Sequence, residues 1–345
     1  MTSQKTYFFG FDYIRALFCL FVVAWHNFVF GPPTYFHYNT IKNFFPTIPD
    51  ILYFNILLLA VPVFFQLSLV LYILNRYSKS SHYFGRRIIR LLSLFIFWSS
   101  SILLFRSFIL GWNINEFFLN FNETIKTLVS GGRSRFFYFF SLIILTALTE
   151  SLLIYLQSRK NKNTFIISAF VFSLIMLVVS PHLFAKANLI FNYWNPINFI
   201  PYVFSAFIVA ELLKKNNSTL ALSVLFSLYI LFSIFEWTTL QYSIWSSYWK
   251  FILPPYTRLS VVFGTMVIVG LFGKVNKPPP KIISMLSSYS LGIYCLHRFI
   301  PTDSLWDILN VTPHPMGIVN CIIQLLGALT ITHLFRKIVL LRRFV

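Results

Sequence analysis

Apolar runs of about twenty residues follow one another along this chain, separated by short polar connections. A helix needs roughly 20 mostly apolar residues to cross a bilayer, and it satisfies its backbone polar groups internally. Only 11% of the 345 residues are charged, against ~25% in soluble domains. The runs predict ten spanning helices, at about 8–30, 51–74, 91–111, 136–157, 165–181, 196–213, 219–237, 256–273, 283–300 and 315–335.

The basic residues indicate the orientation of these helices. They concentrate in alternate connections, so that 18 of the 28 Lys and Arg residues fall on one side of the predicted bundle. Positively charged loops stay in the cytoplasm. The expected fold is therefore an all-α polytopic membrane protein, a bundle of about ten transmembrane helices with both termini cytoplasmic. We expect a single domain over residues 1–345.

Composition also excludes two classes of binding site. The formal charge of +19 comes from short clusters between apolar runs, so topology explains it and we expect no nucleic-acid partner. Cys19, Cys295 and Cys321 lie inside apolar runs without paired spacing, as small core residues do. We predict no metal site and no permanently bound cofactor.

The first predicted helix carries three ionisable side chains, Asp12, Arg15 and His26. His26 lies eleven positions after Arg15, within about 20° of three full turns, so both lie on one face about 16 Å apart along the axis. Asp12 lies three residues before Arg15, where the two can pair. An ionisable group at membrane depth costs at least a few kcal/mol unless it faces the bundle interior or a wet cavity.

This stripe of ionisable groups favours a reaction whose donor enters from the cytosol and whose acceptor waits outside. We predict catalytic roles for His26, Arg15 and Asp12. A neutral imidazole can take up a proton as a general base, or can act as a nucleophile. The alternative is a structural Asp–Arg pair with a core histidine.

Several stretches, in this order along the chain, resemble the acyltransferase-3 family of membrane O-acyltransferases. The first helix, with Arg, ten residues and then His, is "FDYIRALFCLFVVAWH". The others are "VPVFFQLSLVL", "FGRRIIRLLSLF", "WNPINFIPYVFSAFIVAELL" and "SYSLGIYCLH". Leu69 departs from the pattern, since a glycine is common at its position. The resemblance covers about residues 8–300 and implies the stand-alone form, without the extracytoplasmic esterase-like domain.

The resemblance implies an acyl-CoA-dependent O-acyltransferase of the bacterial inner membrane. The acyl group, acetyl by default, would pass from cytosolic acyl-CoA, the co-substrate, to a hydroxyl of a cell-envelope glycan such as an O-antigen, capsule or exopolysaccharide sugar. Expected partners are acyl-CoA, the glycan or its lipid-linked precursor, and membrane lipids. The alternative is a transporter or flippase of a lipid-linked glycan.

A donor-binding role for Arg87 and Arg90, with Arg86 beside them, is also implied by the resemblance. Guanidinium groups bind phosphate through paired hydrogen bonds, and CoA carries several phosphates. Positive-inside anchoring explains the same cluster equally well. Ser68 could line a donor channel or bond to its own backbone.

Four more polar residues are candidates for supporting roles. Glu150 is a lone carboxylate in the fourth span, and Arg106 could pair with it or extend to the interface. Asn195 could contact a substrate, although Asn-Pro also begins helices. Tyr294 and His297 lie one turn apart, where they could bind the acceptor or line the interface.

Overall fold

The computed structural model describes residues 7–31, 46–76, 82–132, 136–183, 194–215, 217–239, 256, 258–309 and 317–345. Within these ranges the chain forms helices and turns, with no strand. The α-helices there are α1 Gly10–His26, α2 Ile48–Ile51, α3 Ala60–Arg76, α4 Tyr83–Phe108, α5 Phe121–Val129, α6 Phe137–Gln157, α7 Lys162–Leu183, α8 Pro201–Lys214, α9 Thr219–Thr239, α10 Leu259–Phe272, α11 Lys281–Leu296, α12 Thr302–Ile308 and α13 Gly317–Lys337.

Every predicted span contains a helix. Among the described residues, seven helical segments are long and apolar enough to cross a membrane: Ile48–Arg76, Tyr83–Phe108, Phe137–Gln157, Lys162–Val179, Pro196–Lys214, Thr219–Thr238 and Gly317–Lys337. The remaining predicted spans are the shorter helices α1, α10 and α11, with 17, 14 and 16 residues. The all-helical, multi-span fold is confirmed, while the count of about ten crossings and the cytoplasmic termini stay predictions.

The segment Ile48–Arg76 is not uniform. A π-helical turn, Leu52–Ile56, and a 3-10 turn, Leu57–Leu59, separate α2 from α3. Thr47 caps the start of α2, because its hydroxyl accepts a hydrogen bond from the amide of Asp50. A π-turn has wider backbone spacing than an α-helix, and such turns often lie at functional sites.

The chain groups into two compact units, each with its own helices. Among the described residues, the first unit comprises those within Phe65–Ser218, and the second comprises those within Thr6–Phe64 and Thr219–Val345. The second unit therefore holds α1, α2 and α9 to α13, and the first holds α4 to α8 with most of α3. That residues 1–345 act as a single domain stays a prediction.

In the second unit, α1 and α11 pack side by side and run in the same direction. Ser287 donates a 2.7 Å hydrogen bond to Asp12 near their starts, and the rings of His26 and His297 stack near their ends. The apolar middle of α1 packs on Ile293. Parallel helices need an odd number of crossings between them, and seven predicted spans lie between α1 and α11.

Helix α13 packs against α11 in the opposite direction. Arg336, in the last turn of α13, donates to Ser288 near the start of α11, and Thr332 lies against Gly292 further along. A Cβ on Gly292 would lie 2.3 Å from Thr332 Oγ1, so a glycine is needed for this close approach. The last turn of α13 and the first turn of α1 thus lie at the same end of the unit.

The core of the first unit joins α3, α6 and α8 through aromatic rings. The ring of Phe65 lies 4.7 Å from that of Tyr138 and 4.5 Å from that of Phe199. Ser205 donates a 2.7 Å hydrogen bond to Gln66, and both side chains are fully buried. These contacts hold α3, the helix that carries Ser68 one turn beyond Phe65.

Candidate active site

The imidazole of His26 ends α1 and stacks on the imidazole of His297. Their centroids are 5.3 Å apart and their planes differ by 9°. His297 is 2% exposed, and its Nδ1 lies 3.1 Å from the carbonyl oxygen of Ile293. The ring of Tyr294 is 6.4 Å away from that of His297. His26 is therefore brought together with His297 and Tyr294, the pair that the sequence analysis considered apart from it, at one end of the second unit.

The turn that follows α1 is held by contacts with other helices. Asn27 donates a 2.8 Å hydrogen bond to Gln324 of α13, and the amide of Phe30 donates at 2.8 Å to the hydroxyl of Tyr53 in the π-turn. Phe28 has φ +48°, a left-handed conformation that costs a side-chain-bearing residue about 1–2 kcal/mol. The surrounding contacts stabilise this turn and so hold the end of α1 in place.

The carboxylate of Asp12 gathers three donors near the start of α1. It accepts hydrogen bonds from Ser287 of α11, from the phenol of Tyr7 and from Arg15 Nη1 at 3.3 Å. Asp12 is 7% exposed. The hydrogen bond to this carboxylate, with partial burial, raises the pKa of Tyr7 above its ordinary value. With its oxygens occupied in this way, Asp12 is suited to hold Arg15 and α11 rather than to move a proton.

Arg15 and His26 lie on the same continuous helix, as their spacing requires. Helix α1 has no break between Gly10 and His26, so the two residues stay about 16 Å apart along its axis. Asp12, bound to Arg15, contacts Ser287 of α11, and His26 contacts His297, the residue that follows α11. Asp12 is buried there, whereas His26 is only partly buried and the Arg15 side chain is 36% exposed, so this face of α1 is partly enclosed within the unit.

In the first unit, Arg87 is held against α3. Its Nη2 donates to Ser68 Oγ at 2.7 Å and to the Ser68 carbonyl at 3.1 Å, and its guanidinium lies 5.0 Å above the ring of Tyr72. Arg86 and Arg90, one turn apart on α4, are exposed. Two members of the predicted donor-binding set, Ser68 and Arg87, are thus in direct contact, and two present guanidinium groups at the surface.

Glu150 is paired with Arg76, the last residue of α3. Arg76 Nη2 lies 2.6 Å from Glu150 Oε1, and Tyr72 donates a 2.6 Å hydrogen bond to Oε2. Arg106 instead donates to the carbonyl of Gly132 at 3.0 Å. Arg76 lies just beyond the predicted span at about 51–74, and the sequence analysis did not consider it as the partner. Because Tyr72 touches both Glu150 and Arg87, the carboxylate supports the arginine indirectly.

Asn195 has a capping role in the structure. Its side chain accepts a 3.0 Å hydrogen bond from the amide of Ile197 and so begins the 3-10 turn Pro196–Phe199 ahead of α8. This is the helix-starting alternative for an Asn-Pro pair.

One buried ion pair was missed by the sequence analysis. Arg258, which the sequence analysis did not single out, lies 2.8 Å from Glu236 of α9. The carboxylate in the apolar stretch "LFSIFEWTTL" is the signal that could have pointed to it, since such a group needs a partner.

Comparison with known proteins gives the family. Among curated proteins and among solved structures, none matches the chain. A model of the acyltransferase-3 family, described as an acyltransferase domain, matches residues 8–335, from just before α1 into the last turn of α13. The resemblance carried by the sequence motifs is confirmed, and the chain belongs to the acyltransferase-3 family of membrane acyltransferases.

Proposed function

We propose that this protein is an O-acyltransferase of the bacterial inner membrane. It takes an acyl group, acetyl by default, from cytosolic acyl-CoA and transfers it to a hydroxyl of a cell-envelope glycan. Family membership supports acyl transfer at a membrane. The observation that carries the proposal is the imidazole of His26, stacked on His297 at one end of α1, with Arg15 and Asp12 near the other end.

The chemistry assigned to His26 is general base catalysis. The imidazole takes the proton from the acceptor hydroxyl while the hydroxyl oxygen attacks the thioester carbonyl carbon. The carbon–sulfur bond then breaks, and the proton passes to the CoA sulfur, so that an ester and a free thiol result. His297 holds the plane of the His26 ring, which keeps its basic nitrogen aimed. A covalent acyl-histidine would use the same ring.

Charge supports the direction of transfer. The basic connection that holds Lys274, Lys277 and Lys281 adjoins the first turns of α1, because Tyr13 donates to the carbonyl of Pro278 at 3.3 Å. Positively charged connections stay in the cytoplasm. On this reasoning Arg15 lies toward the cytosol, where acyl-CoA is made, and His26 lies toward the outer surface, where the glycan waits.

The donor phosphates are assigned to the arginines of α4. Arg86 and Arg90 are exposed one turn apart, a spacing that suits a phosphate between two guanidinium groups. Arg87 is oriented by Ser68 and by the ring of Tyr72. Ser68 therefore acts in this proposal by fixing Arg87.

The test is transfer by purified protein in liposomes. Radiolabelled acetyl-CoA is enclosed inside and candidate glycans are added outside, with wild type, His26→Ala and the control His333→Ala compared. His333 is exposed on α13, where it contacts Tyr289. Wild type and His333→Ala should yield labelled glycan, and His26→Ala should yield none while eluting as folded protein.

A flippase gives the opposite result. It would move unmodified glycan without CoA and would be indifferent to His26. That outcome, or full labelling by His26→Ala, would overturn the proposed function. Mass spectrometry of the envelope glycan from cells with and without the gene then identifies the acyl group and the acceptor sugar.

A further inference from the structure

Arg258 and Glu236 form an ion pair deep in the second unit. Arg258 Nε lies 2.8 Å from Glu236 Oε2, and the two side chains are 1% and 12% exposed. Glu236 also accepts a 3.0 Å hydrogen bond from the amide of Ser260, at the start of α10. A buried ion pair is weak evidence for stability, because desolvation offsets the attraction. Its other contacts indicate a different role.

Arg258 of this ion pair is hydrogen-bonded to the π-turn, Leu52–Ile56. Arg258 Nη1 donates to the carbonyl of Phe54 at 2.6 Å. The side-chain oxygen of Asn55 accepts from Trp237 at 2.9 Å, and its carbonyl accepts from Tyr229 at 2.8 Å. The widened backbone of a π-turn offers carbonyls to partners outside the helix. Here Tyr229 of α9 and Arg258, which precedes α10, donate hydrogen bonds to those carbonyls.

The π-turn in turn packs on the end of α1. The ring of Trp25 lies edge-on to the rings of Tyr53 and Phe54, at 5.6 Å from each. The hydroxyl of Tyr53 also accepts a hydrogen bond from the amide of Phe30, which lies beyond the end of α1. Trp25 is the residue directly before His26. A continuous set of contacts therefore leads from Arg258 through Phe54 and Trp25 to the backbone of His26.

We propose that Arg258 and Glu236 are positioning residues for His26. They set the place of the π-turn, the π-turn fixes Trp25, and Trp25 fixes the end of α1 so that the imidazole meets His297. The inference rests on the proposed function, in which His26 is the base. An arginine is required because its planar fork reaches Glu236, the Phe54 carbonyl and Asn55 together, which a lysine ammonium does not.

The kinetic test replaces Arg258 by lysine, which keeps the positive charge. Arg258→Lys should lower kcat by about 10- to 100-fold, the effect of a base displaced by roughly 1 Å, and should leave the KM for the acyl donor within about twofold. Arg106→Lys is the matched control. Arg106 also donates to a backbone carbonyl and lies over a tryptophan ring, but in the first unit, on Gly132 and Trp112. The kcat and the donor KM of Arg106→Lys should stay within about twofold of the wild-type values.

Hydrogen exchange tests the same coupling without activity. In detergent micelles, peptides that cover residues 24–31 and 51–57 should exchange faster in Arg258→Lys than in wild type, and both should be unchanged in Arg106→Lys. Glu236→Gln should also make both peptides exchange faster. If Arg258→Lys does not fold, Glu236→Gln replaces it in every measurement.

The outcomes separate the two proposals. If wild type transfers no acyl group, the proposed function fails, while exchange still reports whether the ion pair fixes the end of α1. Faster exchange with an unchanged kcat, or unchanged exchange at residues 24–31, would show that the ion pair does not position His26. A raised KM for the acyl donor with an unchanged kcat would show that the ion pair acts in donor binding and does not position His26.

Discussion

At the residue scale, the parallel stacking of two imidazoles gives His297 a direct influence on His26. Replacing His297 by asparagine keeps a polar group but removes the flat surface at 5.3 Å on which the His26 ring rests. We expect kcat for acyl transfer to fall by about 10- to 100-fold, because the base loses its fixed orientation. Initial rates in proteoliposomes measure this, with His333→Asn as the control that keeps wild-type activity. A wild-type rate for His297→Asn would remove the second histidine from the mechanism.

Removal of one partner from the Glu150–Arg76 ion pair should destabilise the protein. Glu150→Gln removes the charge that faces Arg76, whose side chain is only 25% exposed. We expect a loss of about 1–3 kcal/mol in the free energy of unfolding, because a partly buried charge loses its partner. Denaturant unfolding in mixed micelles measures it.

The matched control for that loss is Glu211→Gln. Glu211 pairs with Lys214 at the same 2.6 Å, but both side chains are about half exposed. An exposed pair contributes at most about 0.5–1 kcal/mol, since solvent screens it. Equal losses in the two variants would mean that burial does not strengthen the Glu150 pair.

The sequence predicts which residues belong to the site better than it predicts the residues that contact them. Helix periodicity alone predicts that Asp12 can pair with Arg15 and that His26 shares their face. The contact of His26 with His297 could not be derived in the same way, because it depends on which two helices pack together. Arg76 was missed as the partner of Glu150 for a related reason, since a long side chain at a helix end can turn inward.

At the element scale, the packing of α11 on α13 depends on Gly292. In Gly292→Ala the new methyl group would meet Thr332 at 2.3 Å, so the helices must separate. We expect a loss of about 1–3 kcal/mol in the free energy of unfolding from this overpacking. Thr332→Ala in the same chain should restore part of it, because it removes the nearest atom.

Gly85→Ala is the control for that substitution. Gly85 lies in α4, and a Cβ there has no atom within 4 Å. Alanine is the better helix former by about 1 kcal/mol, so this variant should be as stable as wild type or more so. If both alanines destabilised the protein equally, close helix approach would not be the cause.

Apolar runs predict helix existence well and helix interruptions poorly. The run at about 51–74 reads as one helix, yet it contains the π-turn Leu52–Ile56. Nothing in the hydrophobicity of that stretch marks the turn, because hydrogen bonds from Arg258 and Tyr229, distant in sequence, hold its carbonyls. Helix α5 was missed for another reason. Its nine residues are too short and too polar to register as a span.

At the scale of the whole molecule, the helix directions in the second unit predict which connections share a side of the membrane. Lys277 precedes α11 and Asp307 follows it, so they should lie on opposite sides. With the three natural cysteines replaced by serine, Asp307→Cys should react with a membrane-impermeant maleimide in intact cells. Lys277→Cys should react only after the membrane is permeabilised. Labelling of both in intact cells would contradict a crossing of the membrane by α11.

The overall architecture was accessible from sequence because membrane insertion imposes simple rules on length and charge. Each of the ten apolar runs contains a helix among the described residues, although α4 begins at Tyr83, well before the predicted start at about residue 91. The pairing of those helices was not accessible. It depends on particular contacts, such as Asp12 with Ser287 and Gly292 with Thr332, which carry no signal in hydropathy.

The parallel pairing of α1 with α11 has a consequence for biosynthesis. Helix α1 leaves the ribosome first, but Ser287, which binds its carboxylate, is synthesised some 275 residues later. The donors to Asp12 that are synthesised with α1 are Tyr7 and Arg15. A nascent chain that stops before residue 281 therefore lacks the hydrogen bond from α11, so the start of α1 gains its full set of contacts only late in synthesis.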